Sequence, residues 1–269
     1  MRETLERIAV DAGKAILQVY ETADFNVEMK SDDSPLTRAD LASHAVIVSA
    51  LEQAYPDIPI LSEEGQLPDF AVRSLWKQYF LIDPLDGTKE FIARNGEFTV
   101  NIALIDQGVP VVGVVHVPVL DVTYSGAILE EDQGAWRTRA GVREPIGVRL
   151  FTKPPASLTV VASRRHGAEA LDALLSTLRA RVPDVALANM GSSLKLCLVA
   201  SGEADFYPRL APTSEWDTAA AHAVVLAAGG DVVDTEFASL RYNTKAPILN
   251  PHFLVLGDPS LDWQALITP

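Results

Sequence analysis

An apolar run at 79–82 leads straight into two carboxylates three residues apart, Asp83 and Asp86, with Pro84 and Gly87 bending the backbone around them. Carboxylates crowded at a strand end repel one another unless something cationic lies between them. Hard oxygen donors of this kind favour Mg²⁺ or a similar divalent ion. Thr88 adds a hydroxyl at the same turn, close enough to orient a water held there. An Asp-Gly turn is also a common solvated feature, so its meaning depends on its surroundings. Two further acidic clusters bracket it. Ile58-Pro-Ile-Leu-Ser-Glu-Glu64 is a second short apolar run that ends in carboxylates. Glu215-Trp-Asp-Thr-Ala-Ala-Ala-His222 places Asp217 at the opening of an Ala-rich helix, where unpaired N–H groups favour an anion. A plain helix cap is the simpler role for that aspartate.

Charge narrows the partners. Acidic residues exceed basic ones, 36 against 22, for a net charge of −14. That balance argues against a nucleic-acid backbone or an anionic membrane as partner. It would also repel a phosphorylated small molecule, unless bound divalent cations reverse the sign locally. The single cysteine, Cys197, excludes an intrachain disulfide and a cysteine-based zinc cluster. It lies in an apolar helical run and reads as a buried thiol. No stretch approaches the ~18 apolar residues of a membrane span. The first residues are charged and amphipathic, unlike a signal peptide. Cytoplasm is the expected compartment, with peripheral contact with the inner membrane left open.

Periodicity divides the chain. Leu5, Ile8, Ala12, Ile16 and Val19 predict an amphipathic helix over 3–21, and Pro35 and Thr37 open a second helix that ends before Pro56. Asp40 stands three residues after Thr37, which reads as a capping box with Asp in place of Glu. Beta-branched runs at 98–105, 109–117 and 122–129 predict an antiparallel meander, and 134–149 is more polar with alternating residues. A hinge at 149–155 sets the expected boundary between an α+β half, 1–150, and an α/β half, 151–269. In the second half, strands are expected at 158–162, 185–187, 204–207, 231–233 and 253–256. Helices are expected at 168–181, 192–201 and 216–228, the last stopped by Gly229-Gly230. His44, His116, His222 and His252 show no metal-ligand spacing and read as core or surface residues.

The motifs together resemble the lithium-sensitive, magnesium-dependent phosphomonoesterase superfamily of inositol monophosphatases, fructose bisphosphatases and bisphosphate nucleotidases. The finer resemblance is to the 3'(2'),5'-bisphosphate nucleotidases of the bacterial CysQ type. It rests on Ser34-Pro-Leu-Thr-Arg-Ala-Asp40, Leu61-Ser-Glu-Glu64, Asp83-Pro-Leu-Asp-Gly-Thr-Lys-Glu-Phe91, Asn95-Gly-Glu-Phe-Thr-Val-Asn-Ile-Ala-Leu104, Gly191-Ser-Ser-Leu-Lys195, Tyr207-Pro-Arg209 and Trp216-Asp-Thr-Ala-Ala220. Lys89-Glu90 after Gly-Thr separates the chain from the inositol phosphatases.

The resemblance implies a layered αβαβα sandwich with the ligand between its halves. It implies two or three Mg²⁺ per site, the first held by Glu63, Asp83 and the Leu85 carbonyl, the second by Asp83, Asp86 and Asp217. Glu64 is read as support for Glu63. A water held by Thr88, with Glu63 or Asp40 accepting its proton, would attack phosphorus without a phosphoenzyme. The Gly87, Thr88 and Lys89 amides would cradle the scissile phosphate. Ser192, Ser193, Lys195, Arg209 and the Ser163, Arg164, His166 segment would meet the rest of a nucleotide bisphosphate. Where the family reads Ser-Arg-Ser-His, Arg165 stands in place of the second serine, and the choice between Arg164 and Arg165 stays open. The implied reaction removes the 3'-phosphate of 3'-phosphoadenosine 5'-phosphate to leave AMP, in support of sulfur assimilation. An inositol or sugar phosphatase on the same fold is the nearest alternative. A catalytically silent metal-binding regulator is one of another class. Monomer and homodimer are equally compatible with the sequence.

Overall fold

The computed structural model describes residues 1–22, 28–29, 35–152, 155–162 and 168–268. Ser163, Arg164, Arg165 and His166, with Ser34 of the first motif, lie outside the described residues.

Helix α1 (Arg2–Tyr20) buries Leu5, Ile8, Ala12 and Ile16, the stripe that the sequence period predicts. A short antiparallel pair, β1 (Glu28–Met29) with β2 (Pro35–Leu36), precedes α2 (Arg38–Ala54). The two helices pack together on one face of a seven-stranded sheet. Its order is β3 (Ile60–Ser62), β4 (Gln78–Asp86), β5 (Thr99–Asp106), β6 (Val109–Val117), β7 (Val122–Leu129), β8 (Asp132–Arg139), β9 (Val142–Ile146). Helices α3 (Phe70–Arg73) and α4 (Thr88–Ile92) sit in the connections flanking β4. The predicted meander is present and runs further than three strands. The polar alternation after residue 130 becomes β8, whose side chains are mostly half-buried, and β9, the edge strand, which leaves four of its five residues exposed.

A second, five-stranded sheet runs β11 (Asp184–Asn189), β10 (Ser157–Ala162), β12 (Phe206–Arg209), β14 (Phe253–Leu256), β13 (Asp231–Asp234). Its outer face carries α5 (Ala168–Arg179) and α8 (Trp263–Ile267), the latter held by Trp263 stacked on Phe206 at 5.0 Å. Helices α6 (Leu194–Ala200) and α7 (Ala219–Ala227) lie between the sheets, so the layers run αβαβα as the resemblance implies.

Helix α7 is buried from Ala219 through Val225 and apolar all round, as a central-layer helix must be. Its approach to the large sheet depends on two glycines that pair across β6 and β7, Gly113 and Gly126. A Cβ on Gly113 would fall 2.0 Å from the Ala220 carbonyl oxygen, and one on Gly126 would fall 2.7 Å from the Val224 Cα. The run of small residues in α7 and the two glycines opposite are thus one packing device.

The single helix expected over 216–228 is in fact two pieces. A 3-10 turn, Glu215–Asp217, precedes α7, with Thr218 between them. Asp217 reaches back to accept the Ser214 N–H at 2.9 Å, and the Thr218 hydroxyl donates to the Glu215 carbonyl at 3.1 Å. These local bonds tighten the turn at the expense of regular helix.

Candidate active site

Four aspartates approach the seam between the sheets, each held by backbone. In β4 the register with β5 slips between Asp83 and Asp86, so Pro84 and Leu85 bulge out of the ladder. Proline has no N–H to lose there. The strand therefore continues to Asp86, past the end expected at 82. Asp83 Oδ1 accepts the Leu85 N–H at 3.0 Å, an Asx turn that stiffens the bulge. Asp86 Oδ2 accepts the Ser193 N–H at 2.6 Å, which ties β4 to the start of α6. Asp40 is the N3 residue of a capping box, its Oδ2 accepting the Thr37 N–H at 2.8 Å. Its other oxygen lies 3.4 Å from Thr88 Oγ1. Asp217 is likewise N3 of a box closed by Ser214.

Glu63 follows β3, and one carboxylate oxygen from each of Glu63, Asp83 and Asp217 lies within 4.8 Å of the others. Burial, then the charges of Glu63, Asp86 and Asp217, push the Asp83 carboxyl well above its usual range. Asp217 is pushed up in the same way by burial, Asp86 and Glu63. Burial lifts Asp86 to about 6, against the pull of Lys195 and the Ser193 amide. A cluster of hard oxygen donors that raises its own proton affinity calls for a multivalent cation, and this donor set fits Mg²⁺. Asp86 is not part of the three-carboxylate cluster. It flanks the cluster on the α6 side.

From this corner a cavity opens, lined among others by Gly87, Lys89, Met190, Lys195, Arg209 and Asp217. Gly87 adopts φ +94 at the N-cap of α4 and turns the chain from the Asp86 strand into the Thr88 helix. Lys195 is buried, with Nζ donating to the Ser192 carbonyl at 2.7 Å and the Met190 carbonyl at 3.3 Å. Burial lowers its ammonium to about 8, opposed by Asp86. Arg209 donates to the Ala211 and Pro212 carbonyls at 3.1 and 2.9 Å and borders the same cavity.

Part of the expected anion site is used within the fold instead. The Gly191 N–H donates to Glu97 Oε2 at 2.7 Å, and the Ser193 N–H is the one taken by Asp86. The Ser193 hydroxyl is buried between Thr99 and Asn101, at 2.9 Å from each. Ser192 is not the cap of α6. Ser193 is, and Ser192 stands just before it with φ +45. Glu97 thus lines the cavity, and Thr99 and Asn101 hold Ser193, which lines it too. A polar pair on an otherwise apolar strand, Thr99 and Asn101, is the signal that could have marked them.

Two sheets with a carboxylate corner opening on a cavity that Lys89, Lys195 and Arg209 border beside its acidic side chains define a class: proteins suited to hold hard cations beside an anion. The sequence pattern of the Inositol monophosphatase family matches residues 1–258, and the chain belongs to that family. It is 50% identical over 256 residues to the 3'(2'),5'-bisphosphate nucleotidase CysQ of Salmonella typhimurium, covering 95% of this chain and 99% of that one. Against the protein of the same name from Escherichia coli strain K12 the identity is 48% over the same span. The crystal structure of CysQ from Bacteroides thetaiotaomicron, a bacterial member of the inositol monophosphatase family, matches with a TM-score of 0.81 at 41% identity, covering 94% of this chain and 95% of that one. The family read from the motifs is the family found.

Proposed function

We propose that the chain is a Mg²⁺-dependent 3'(2'),5'-bisphosphate nucleotidase that removes the 3'-phosphate of 3'-phosphoadenosine 5'-phosphate, leaving AMP. The observation that carries this reading is the convergence of Glu63, Asp83 and Asp217 within 4.8 Å, beside a cavity bordered by Lys195 and Arg209. Relatives at about half identity bear the same activity in their names. In this reading Glu63, Asp83 and the Leu85 carbonyl would hold one ion. Asp86 and Asp217, with Asp83, would hold a second. When bound, Mg²⁺ supplies Lewis acidity that lowers the pKa of water and offsets charge on the phosphoryl oxygens.

The chain's own groups do the rest. Thr88 Oγ1, 3.4 Å from Asp40 Oδ1, donates to that carboxylate and accepts from the attacking water, so that the proton passes towards Asp40. The amides at the start of α4 receive the scissile phosphate. Lys195 spends two donors on carbonyls, and its third donor and its charge serve the second phosphate with Arg209. The halves 1–150 and 151–269 meet at this site, the first bringing most of the ligands and the second the nucleotide contacts. Such an enzyme would work in the cytoplasm, on a by-product of sulfate transfer.

A substrate panel at fixed Mg²⁺ tests the assignment. The expected kcat/KM for 3'-phosphoadenosine 5'-phosphate exceeds that for inositol 1-phosphate and for fructose 1,6-bisphosphate by at least roughly tenfold, the worth of one charge-assisted hydrogen bond. Equal or reversed preference would move the chain to the inositol or sugar phosphatases of the same fold.

A further inference from the structure

Helix α2 presents Asp40, Ser43 and His44 at i, i+3 and i+4, which places them on one face. Each contacts a different part of the site. Asp40 Oδ1 meets Thr88 Oγ1 at 3.4 Å. The Ser43 hydroxyl is wholly buried and donates to the Pro84 carbonyl at 2.7 Å. His44 Nδ1 shares a hydrogen bond of 2.8 Å with the buried Ser62 hydroxyl, directly before Glu63.

These contacts fall where the sheet stops helping. The parallel β3–β4 ladder ends at Ser62 opposite Ile82, with one further bond from the Glu63 N–H to the Ile82 carbonyl at 3.2 Å. On β4, Pro84 and Leu85 have no partner in the β5 ladder, because the register slips there. The Pro84 carbonyl and the Leu85 N–H belong to one planar peptide unit. Ser43 holds its oxygen end, and Asp83 Oδ1 holds its N–H end at 3.0 Å. Gripping both ends fixes the rotation of that plane, which commits Oδ1 of Asp83 to the turn and leaves Oδ2 for a ligand. It also sets the start of the next peptide, whose oxygen is the Leu85 carbonyl.

We infer that Ser43 and His44 are positioning residues, which from α2 fix the two ligand-bearing turns at Asp83-Pro84-Leu85 and at Ser62-Glu63. The inference rests on the reading in which Glu63, Asp83 and the Leu85 carbonyl hold a divalent cation. Repelling carboxylates splay unless the backbone beneath them is held, so loosening either turn weakens cation binding before it alters any group that touches substrate.

Calorimetric titration of the full chain with Mg²⁺ alone, without substrate, tests it. Wild type, Ser43→Ala, His44→Ala, His44→Asn and His44→Gln are compared at a temperature where circular dichroism shows all of them folded. Ser43→Ala and His44→Ala are expected to weaken Mg²⁺ binding by roughly two- to tenfold each, the range of one lost hydrogen bond. Asparagine carries its amide near the place of Nδ1 and is expected to restore affinity to near wild type. Glutamine reaches instead towards the place of Nε2 and should behave like alanine. A merely structural role would not separate asparagine from glutamine in this way. Wild-type affinity in both alanine variants, or an asparagine variant no better than the glutamine one, overturns the inference while leaving the cation site standing. A wild-type protein that binds no Mg²⁺ overturns both.

Discussion

Each of the four aspartates spends one oxygen on a backbone N–H: Asp40 on Thr37, Asp83 on Leu85, Asp86 on Ser193 and Asp217 on Ser214. The bond restrains the carboxylate, and in the proposed function the second oxygen of each serves the site. The simple readings of Asp40 and Asp217 as helix-start carboxylates hold, each as the N3 residue of a capping box, and the proposed function asks each for a second role beside it. That much was legible from the spacing Thr37 to Asp40. The rest needed three dimensions, since Ser43 and His44 look like ordinary helix residues until their partners at Pro84 and Ser62 are in place. Asp83→Asn keeps the oxygen that accepts the Leu85 N–H and removes the charge. Its loss of Mg²⁺ affinity by calorimetry should clearly exceed the roughly two- to tenfold expected of a lost supporting hydrogen bond, whereas Glu64→Gln should stay within that range. Equal losses would remove Asp83 from its proposed place between two ions. Thr88→Ala should lower kcat by about 10²–10⁴-fold with little change in KM, Thr88→Val should fare no better, and Thr88→Ser should recover much of the rate. Steady-state kinetics with near-normal kcat in the valine variant would make Thr88 a turn residue only.

Elements were legible where one face is buried and the other is wet, as in α1, and where β-branched residues run together, as in β5 to β7, which are buried on both faces. They were less legible where local side-chain bonds compete with the regular pattern, as at the 3-10 turn carrying Asp217. The contact between α7 and the Gly113–Gly126 pair was not legible at all, because nothing near either glycine in sequence hints at a helix above it. It should nonetheless be among the least tolerant spots in the molecule. Gly113→Ala places a methyl 2.0 Å from backbone oxygen that cannot rotate away. Urea unfolding should show a loss at or above the ~1–3 kcal/mol usual for overpacking. Gly147→Ala is the control, since its added carbon would sit 3.6 Å from the nearest atom, the Ala228 carbonyl oxygen. A Gly113→Ala protein as stable as this control would mean that α7 is free to shift.

At the scale of the molecule, the order of motifs was enough for the family and the layers: the acidic clusters lie after β3, within β4 and in the turn before α7, and the seam collects all three. Among the described residues no helix is long and apolar enough to cross a membrane. The interior also holds two imidazoles that the spacing rules placed outside the chemistry. His222 is buried against Tyr242, and burial lowers it to about 3. His116 is buried against Thr123 and is lowered to about 4. An unfolded chain takes up protons on these rings near pH 6.5. The native state refuses them, so each ring removes stability as pH falls below that value, by up to about 1.4 kcal/mol per pH unit until its native value is reached. Glu215, lifted to about 7 by burial, works in the opposite sense between pH 7 and its unfolded value. Ring signals therefore isolate the effect better than net stability does. Proton NMR should show both rings neutral at pH 5, and titration near 6.5 would place them in solvent.

The central claim, a cation-dependent attack on the 3'-phosphate, is met most directly by one assay. Enzyme stripped with EDTA is given 3'-phosphoadenosine 5'-phosphate, then titrated with Mg²⁺, while phosphate release is followed and the nucleoside product is identified by chromatography. The account predicts no release from the stripped protein, recovery with Mg²⁺, and AMP as the product. Release that persists without a divalent ion, a product that keeps its 3'-phosphate, or no release at any Mg²⁺ concentration would contradict it.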